Sequence, residues 1–118
     1  MLCLEYKGDM GNKAILNFTP AEEQEALDLI SQQMEEIFAA PLDIDAVQKS
    51  VLSLLAALPE ETALQMEFSC TEQEAELTLL YPAPMLNPLE NLAEPLPIDQ
   101  VTYEWTHENR LTLCKTLM

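Results

Sequence analysis

Glycine is almost missing from this chain of 118 residues. It occurs twice, as Gly8 and Gly11, both inside the stretch G-D-M-G. A phosphate-cradling loop needs glycine where backbone N–H groups close on the ligand, so no loop of that kind is expected. Histidine is scarcer still. His107 stands alone in a predicted turn, with no ligand cluster around it and no nucleophile for which it could act as base. The three cysteines, Cys3, Cys70 and Cys114, are far apart and lack C-x-x-C spacing. They read as free thiols, two or three of them acting as small core residues, rather than as disulfide partners or metal ligands. Apolar runs long enough to span a bilayer are absent, and the opening M-L-C-L-E-Y-K lacks a signal peptide's basic flank and apolar stretch. The expectation is a cytoplasmic protein with no membrane contact, no metal and no cofactor.

Positive charge is the other shortage. Five Lys and Arg stand against 21 Asp and Glu, a net charge of −16. Such a surface repels nucleic acid, anionic membranes and free nucleoside triphosphates, over a range that salt limits to about 10 Å. Nucleic-acid binding is excluded on this ground, whereas a basic protein partner is attracted. Acidity also keeps a small protein dispersed, and that plain reading accounts for most of the charge.

What the chain does contain is a regular alternation of patterns. With 48% hydrophobic residues it is rich enough for one core, and it is read as a single domain, residues 1–118. L-C-L-E-Y-K (2–7) and K-A-I-L-N-F (13–18) predict a strand pair joined by G-D-M-G-N. T-P-A-E follows, with Thr19 as cap, Pro20 at the first helical position and Glu22 completing a capping box. Leu27, Ile30, Met34, Ile37 and Phe38 then recur at helical spacing up to Pro41. Asp43 or Asp45 opens a second helix that carries Ile44, Val47, Val51, Leu54, Leu55 and Leu58, with Leu52 widening the stripe and Pro59 ending it. From Leu64 the period becomes two. Leu64, Met66, Phe68 and Cys70 predict one strand, and Ala75, Leu77, Leu79 and Tyr81 a second, around the turn T-E-Q-E. Val101, Tyr103 and Trp105 begin a last hairpin, which turns at H-E-N-R and ends on L-T-L-C-K-T-L. The two aromatics on that strand are expected to close the core. The order predicts an α+β two-layer sandwich: a mixed, mainly antiparallel sheet with two helices on one face.

Between the two hairpins runs Y-P-A-P-M-L-N-P-L-E-N-L-A-E-P-L-P (81–97), with five prolines and no glycine. Its apolar residues Met85, Leu86 and Leu89 either tuck onto the core or offer a partner contact, together with Asn87 and Glu90.

The order of elements and this loop resemble the GHKL fold, the ATP-binding domain of histidine kinases and anti-sigma-factor serine kinases, over residues 13–117. The apolar helix followed by A-L-Q-M-E-F-S-C-T-E-Q-E-A-E-L-T-L-L is similar to that fold. Y-P-A-P-M-L-N-P-L-E resembles the D-x-G-x-P-F-N-P-L pattern of the anti-sigma kinases, and I-D-Q-V-T-Y-E-W-T-H-E-N-R-L-T-L-C-K-T-L their closing strand pair. The resemblance implies that Tyr81 stands where the family has its adenine-reading aspartate, and Ala83 where it has the glycine that lets the nucleotide approach. It places Ser50 and Leu54 at the Glu-x-x-x-Asn pair that supplies base and magnesium ligand, and leucine cannot hold a hard cation. N-L-A-E-P-L-P is too short for the family's lid and phosphate-binding helix. The chain is thus expected to be a non-catalytic relative that does not use ATP. The resemblance further implies a protein partner such as a sigma factor or a STAS-domain protein, and a homodimer. An enzyme or small-ligand binder with a diverged site, beneath the 81–97 loop, is the other reading.

Overall fold

The computed structural model of the chain describes residues 13–82, 84–92 and 94–117. The predicted strand at 2–7, the turn at 8–12, Cys3 and Ala83 lie outside these residues. Among the described residues there are five strands and two α-helices: β1 (Lys13–Phe18), α1 (Glu23–Glu36), α2 (Pro41–Ala56), β2 (Leu64–Cys70), β3 (Glu74–Pro82), β4 (Gln100–Trp105) and β5 (Glu108–Thr116). They make one sheet in the order β1-β2-β3-β5-β4, and every pairing among the described residues is antiparallel. The chain is therefore an α+β protein with two helices layered on a sheet, as the change of period from 3.6 to two implies.

Register puts the inward residues in rows across the sheet. Leu16, Met66, Leu79, Leu111 and Tyr103 face one another in turn, as do Ala14, Phe68, Leu77, Leu113 and Val101. Ala26, Ile30 and Met34 of α1 and Val47, Val51, Leu54 and Leu55 of α2 close over them, giving one continuous core. Gln48 ties the helices by donating to the Leu27 carbonyl at 3.0 Å. The T-E-Q-E turn is held by Thr71, whose hydroxyl oxygen accepts from the N–H groups of Gln73 and Glu74 at 3.2 and 3.3 Å.

Several local expectations need correction. The start of the first helix keeps its expected capping box, the Thr19 N–H donating to the Glu22 carboxylate at 3.0 Å, but Pro20–Glu22 form a 3-10 turn before the α-helix proper. That helix stops at Glu36, so Phe38 is not part of its buried stripe. The second helix opens on Pro41 rather than on an aspartate. Pro41 sets φ for the first turn and needs no N–H partner there. This leaves Asp43 inside the first turn, buried, with its carboxylate 3.8 Å from Lys115 of β5. H-E-N-R is not a turn either. Only Thr106 and His107 connect the strands, because the ladder of β5 already begins at Glu108. Finally, Cys114 lies half-buried on the outer face of the sheet and not in the core, while Cys70 is a core residue.

Candidate functional site

Of the four positions that the family resemblance singles out, Ser50, Leu54 and Tyr81 are described, and all three are buried. Ser50 and Leu54 are one helical turn apart on the buried face of α2. The Ser50 hydroxyl donates to the Ala46 carbonyl of its own helix at 2.8 Å, so its hydrogen is already used. Leu54 is wholly inside the core. Tyr81 closes β3 with its ring buried and its hydroxyl donating to the Leu86 carbonyl at 2.6 Å. Burial first, and then the neighbouring Tyr103 phenol, push the Tyr81 phenol well above the ordinary tyrosine range. It remains a neutral donor and offers no charge to a ligand.

The group that organises the loop is Asn109, which sequence reasoning missed. It is fully buried at the start of β5, opposite Tyr81 on one side and Trp105 on the other. Its side-chain oxygen accepts the Leu86 N–H at 2.8 Å and the Tyr103 hydroxyl. Its amide nitrogen faces three carbonyls: Pro82 and Pro84 at 3.0 Å each, and Tyr81 at 3.3 Å. Proline brings carbonyls into the loop without bringing N–H donors, so those acceptors must be satisfied from outside the segment. One buried amide does so. Both polar groups of the Leu86 peptide are thereby held by side chains, the N–H by Asn109 and the C=O by Tyr81. A sequence signal existed, since Asn109 continues the inward phase of Leu111 and Leu113, and a polar residue in that phase demands partners.

With its backbone pinned, the loop packs against the core. Leu86, Leu89, Leu92 and Leu96 pack against the core, and Pro88 is fully buried. Asn87 accepts the Leu89 N–H at 3.0 Å and starts the short 3-10 turn Pro88–Asn91. Of the five residues considered for partner contact, Met85 is 61% exposed and Glu90 is exposed. Leu86 and Leu89 are turned inward and Asn87 is half-buried. At its far end the loop is fastened by Asp99, whose N–H donates to the Cys114 carbonyl at 3.1 Å and whose carboxylate accepts the Thr116 N–H. That backbone hydrogen bond holds the Asp99 carboxyl below the usual carboxylate range.

A groove of about 820 Å3 remains between the loop and α2. Lys49, Leu52, Ser53 and Ala56 line it from the helix, and Leu92 and Pro95 from the loop. Those helix positions form the stripe next to Ser50 and Leu54, so the groove opens on the outer side of α2 and not toward the two family positions. The Lys49 ammonium is 3.1 Å from the Asp45 carboxylate one turn back. Among the described residues, no group of three or more His, Cys, Asp and Glu is placed to hold a metal. His107 is exposed in its turn, 3.5 Å from the neighbouring Glu108 carboxylate. The Cys70 thiol is pushed up by burial and then by Glu36, and that of Cys114 by burial and then by Glu76, Glu74 and Asp99. Both are held as protonated thiols and are poor nucleophiles. Among the described residues no helix is long and apolar enough to cross a membrane. No protein-family model matches the chain, and no curated protein matches it significantly.

Proposed function

We propose that this domain is a non-catalytic regulatory or scaffolding module of GHKL-like descent that acts through protein contacts and has lost ATP binding. One observation carries the reading. The loop that would open for a nucleotide in such a fold is closed by side chains of the neighbouring strands, with Asn109 and Tyr81 holding the Leu86 peptide from both ends. The positions assigned to base and metal ligand support it as well. Ser50 has spent its hydrogen on its own helix, and Leu54 is core. The charge of −16 opposes a polyphosphate and favours a basic protein surface. A sigma factor or a STAS-domain protein is the partner class that the resemblance suggests, with homodimerisation as a companion property.

The test is calorimetric titration with ATP and ADP, each with magnesium, alongside thermal unfolding in their presence. The expected result is no heat of binding and no change in melting temperature. A rise of several degrees that saturates with nucleotide would refute the reading. The groove of about 820 Å3 beside α2 favours a second reading, a small-ligand binder or an enzyme with a diverged site. In that case a ligand would be seated by Lys49, Ser53 and Leu92, and a fragment screen followed by chemical-shift mapping would locate it there.

A further inference from the structure

The connection between the helices is chemically out of place. It reads I-F-A-A-P-L, six apolar residues from Ile37 to Leu42, where a surface turn would ordinarily be polar. Phe38 is 93% exposed and Leu42 82%, the two most exposed large apolar side chains described. Phe38 also has φ of 60°, the one positive value at a non-glycine residue among those described. The hydrogen bonds explain why. The Ala39 N–H reaches the Met34 carbonyl at 3.0 Å and the Phe38 N–H the Glu35 carbonyl at 3.1 Å, the two bonds of a Schellman turn. Phe38 thus occupies the position that such turns give to glycine or asparagine, and it gains no burial there. Fold stability does not account for a phenylalanine at this place.

Its surroundings are electronegative. Glu35 and Glu36 sit in the last turn of α1, where the helix dipole already concentrates negative charge and basic residues are the stabilising choice. From Ala14 to Gln48 the chain has eight Asp and Glu (Glu22, Glu23, Glu25, Asp28, Glu35, Glu36, Asp43 and Asp45) and no Lys or Arg. Two copies meeting through this corner would bring like charges together, so the corner does not suit self-association. An apolar knob in an acidic field suits a partner that joins apolar contacts to cations.

We propose that the Phe38–Leu42 corner is a docking surface for a protein partner presenting a cationic amphipathic helix. The partner's apolar face receives the Phe38 ring and Leu42, and its Lys or Arg side chains reach Glu35, Glu36 and the α1 carboxyl end. This assignment rests on the reading that the domain works through protein contacts. It moves the main contact from the Met85 loop to the connection between α1 and α2.

The experiment uses the full chain and a synthetic leucine–lysine amphipathic helix of about 18 residues, roughly five turns. A scrambled isomer of the same composition controls for charge alone. Binding is read by fluorescence anisotropy at about 0.15 M salt, where the screening length is short, and amide chemical shifts map the contact. The expected result is binding that perturbs residues 35–42. Phe38→Gly, Leu42→Ser and the double variant Glu35→Gln, Glu36→Gln should each weaken it by about tenfold or more, while Met85→Ser leaves it unchanged. The scrambled isomer should bind about tenfold more weakly than the helix. Equal binding by both peptides, or by Phe38→Gly and the wild type, overturns the proposal. Shifts confined to 85–90 overturn it but leave the protein-contact reading standing, whereas no shift at either surface counts against both. Sedimentation velocity that shows a dimer lost on Phe38→Gly would assign the corner to a second copy and also overturn it.

Discussion

Replacing Phe38 by glycine is expected to make the domain more stable, although it deletes the largest side chain in the turn. The magnitude follows from three terms. A left-handed φ costs an L-residue roughly 1–2 kcal/mol that glycine does not incur. Against this, glycine loses more chain entropy on folding, about 0.4–1 kcal/mol. The ring itself contributes almost nothing, because Phe38 is 93% exposed and complete burial of such a side chain is worth only about 3 kcal/mol. The balance is a gain of about 0.7 kcal/mol. With an unfolding entropy near ~2.1 cal/mol/K per residue for a chain of 118 residues, this corresponds to a rise in Tm of about 3 °C. Phe38→Ala serves as the control. It removes the ring and keeps the Cβ, so it should stay within about 0.3 kcal/mol of the parent. Urea unfolding followed by circular dichroism measures both. Equal stability of the alanine and glycine variants, or a loss of stability in the glycine variant, would refute the account of the turn.

Four further outcomes are expected. Asn109→Leu removes the bonds that this amide makes to the loop and should destabilise the fold by roughly 2–4 kcal/mol, with the Leu86 amide losing its hydrogen-exchange protection first. Tyr81→Asp, which puts a carboxylate where the GHKL resemblance would expect one, should cost about 3 kcal/mol because the charge enters a buried site. Nucleotide should not rescue that loss in thermal unfolding. For Asp99 the sign is set by a depressed folded-state pKa: its contribution is present above the ordinary aspartate value of about 3.9 and is lost as pH falls through the lower folded value. A carboxyl chemical-shift titration checks this, and Asp99→Asn should remove that segment of the acid-unfolding curve. Tyr81 acts in the opposite sense. Its raised phenol contributes stability that is present below about pH 10 and lost as pH rises above it, so ultraviolet titration should show one tyrosine ionising only as the protein unfolds.

Much of the architecture was legible because periodicity is a local property. The alternation of Leu64, Met66, Phe68 and Cys70 specifies a strand face wherever its partners lie, and the spacing of Val47, Val51, Leu54 and Leu55 specifies a helix stripe in the same way. The errors fell where a residue's role depends on contacts distant in sequence. Phe38 fits the apolar phase of α1, and nothing local shows that the helix stops two residues earlier. Asp43 has the form of a cap, yet its place opposite Lys115 depends on how α2 crosses the end of β5. Asn109 looked like turn chemistry, since asparagine between charged residues usually is.

The candidate site divides along the same line. Sequence by itself determined which groups stand at the positions that the GHKL resemblance singles out: no carboxylate at 81, no base at 50 and no amide at 54, because composition at a position does not depend on packing. It also determined the net charge of −16, a field that opposes polyanions at long range. Only the tertiary structure decided how the groups that are present are used. The closed loop exists because β3 and β5 pair in a register that sets Asn109 beside Tyr81, which brings one buried amide within reach of three carbonyls and a peptide N–H. The exposed corner at Phe38 exists because the α1 helix ends two residues before its apolar pattern does. Hydrogen bonds and burial are properties of positions in space, and residues 28 apart in sequence acquire them only when the sheet has formed.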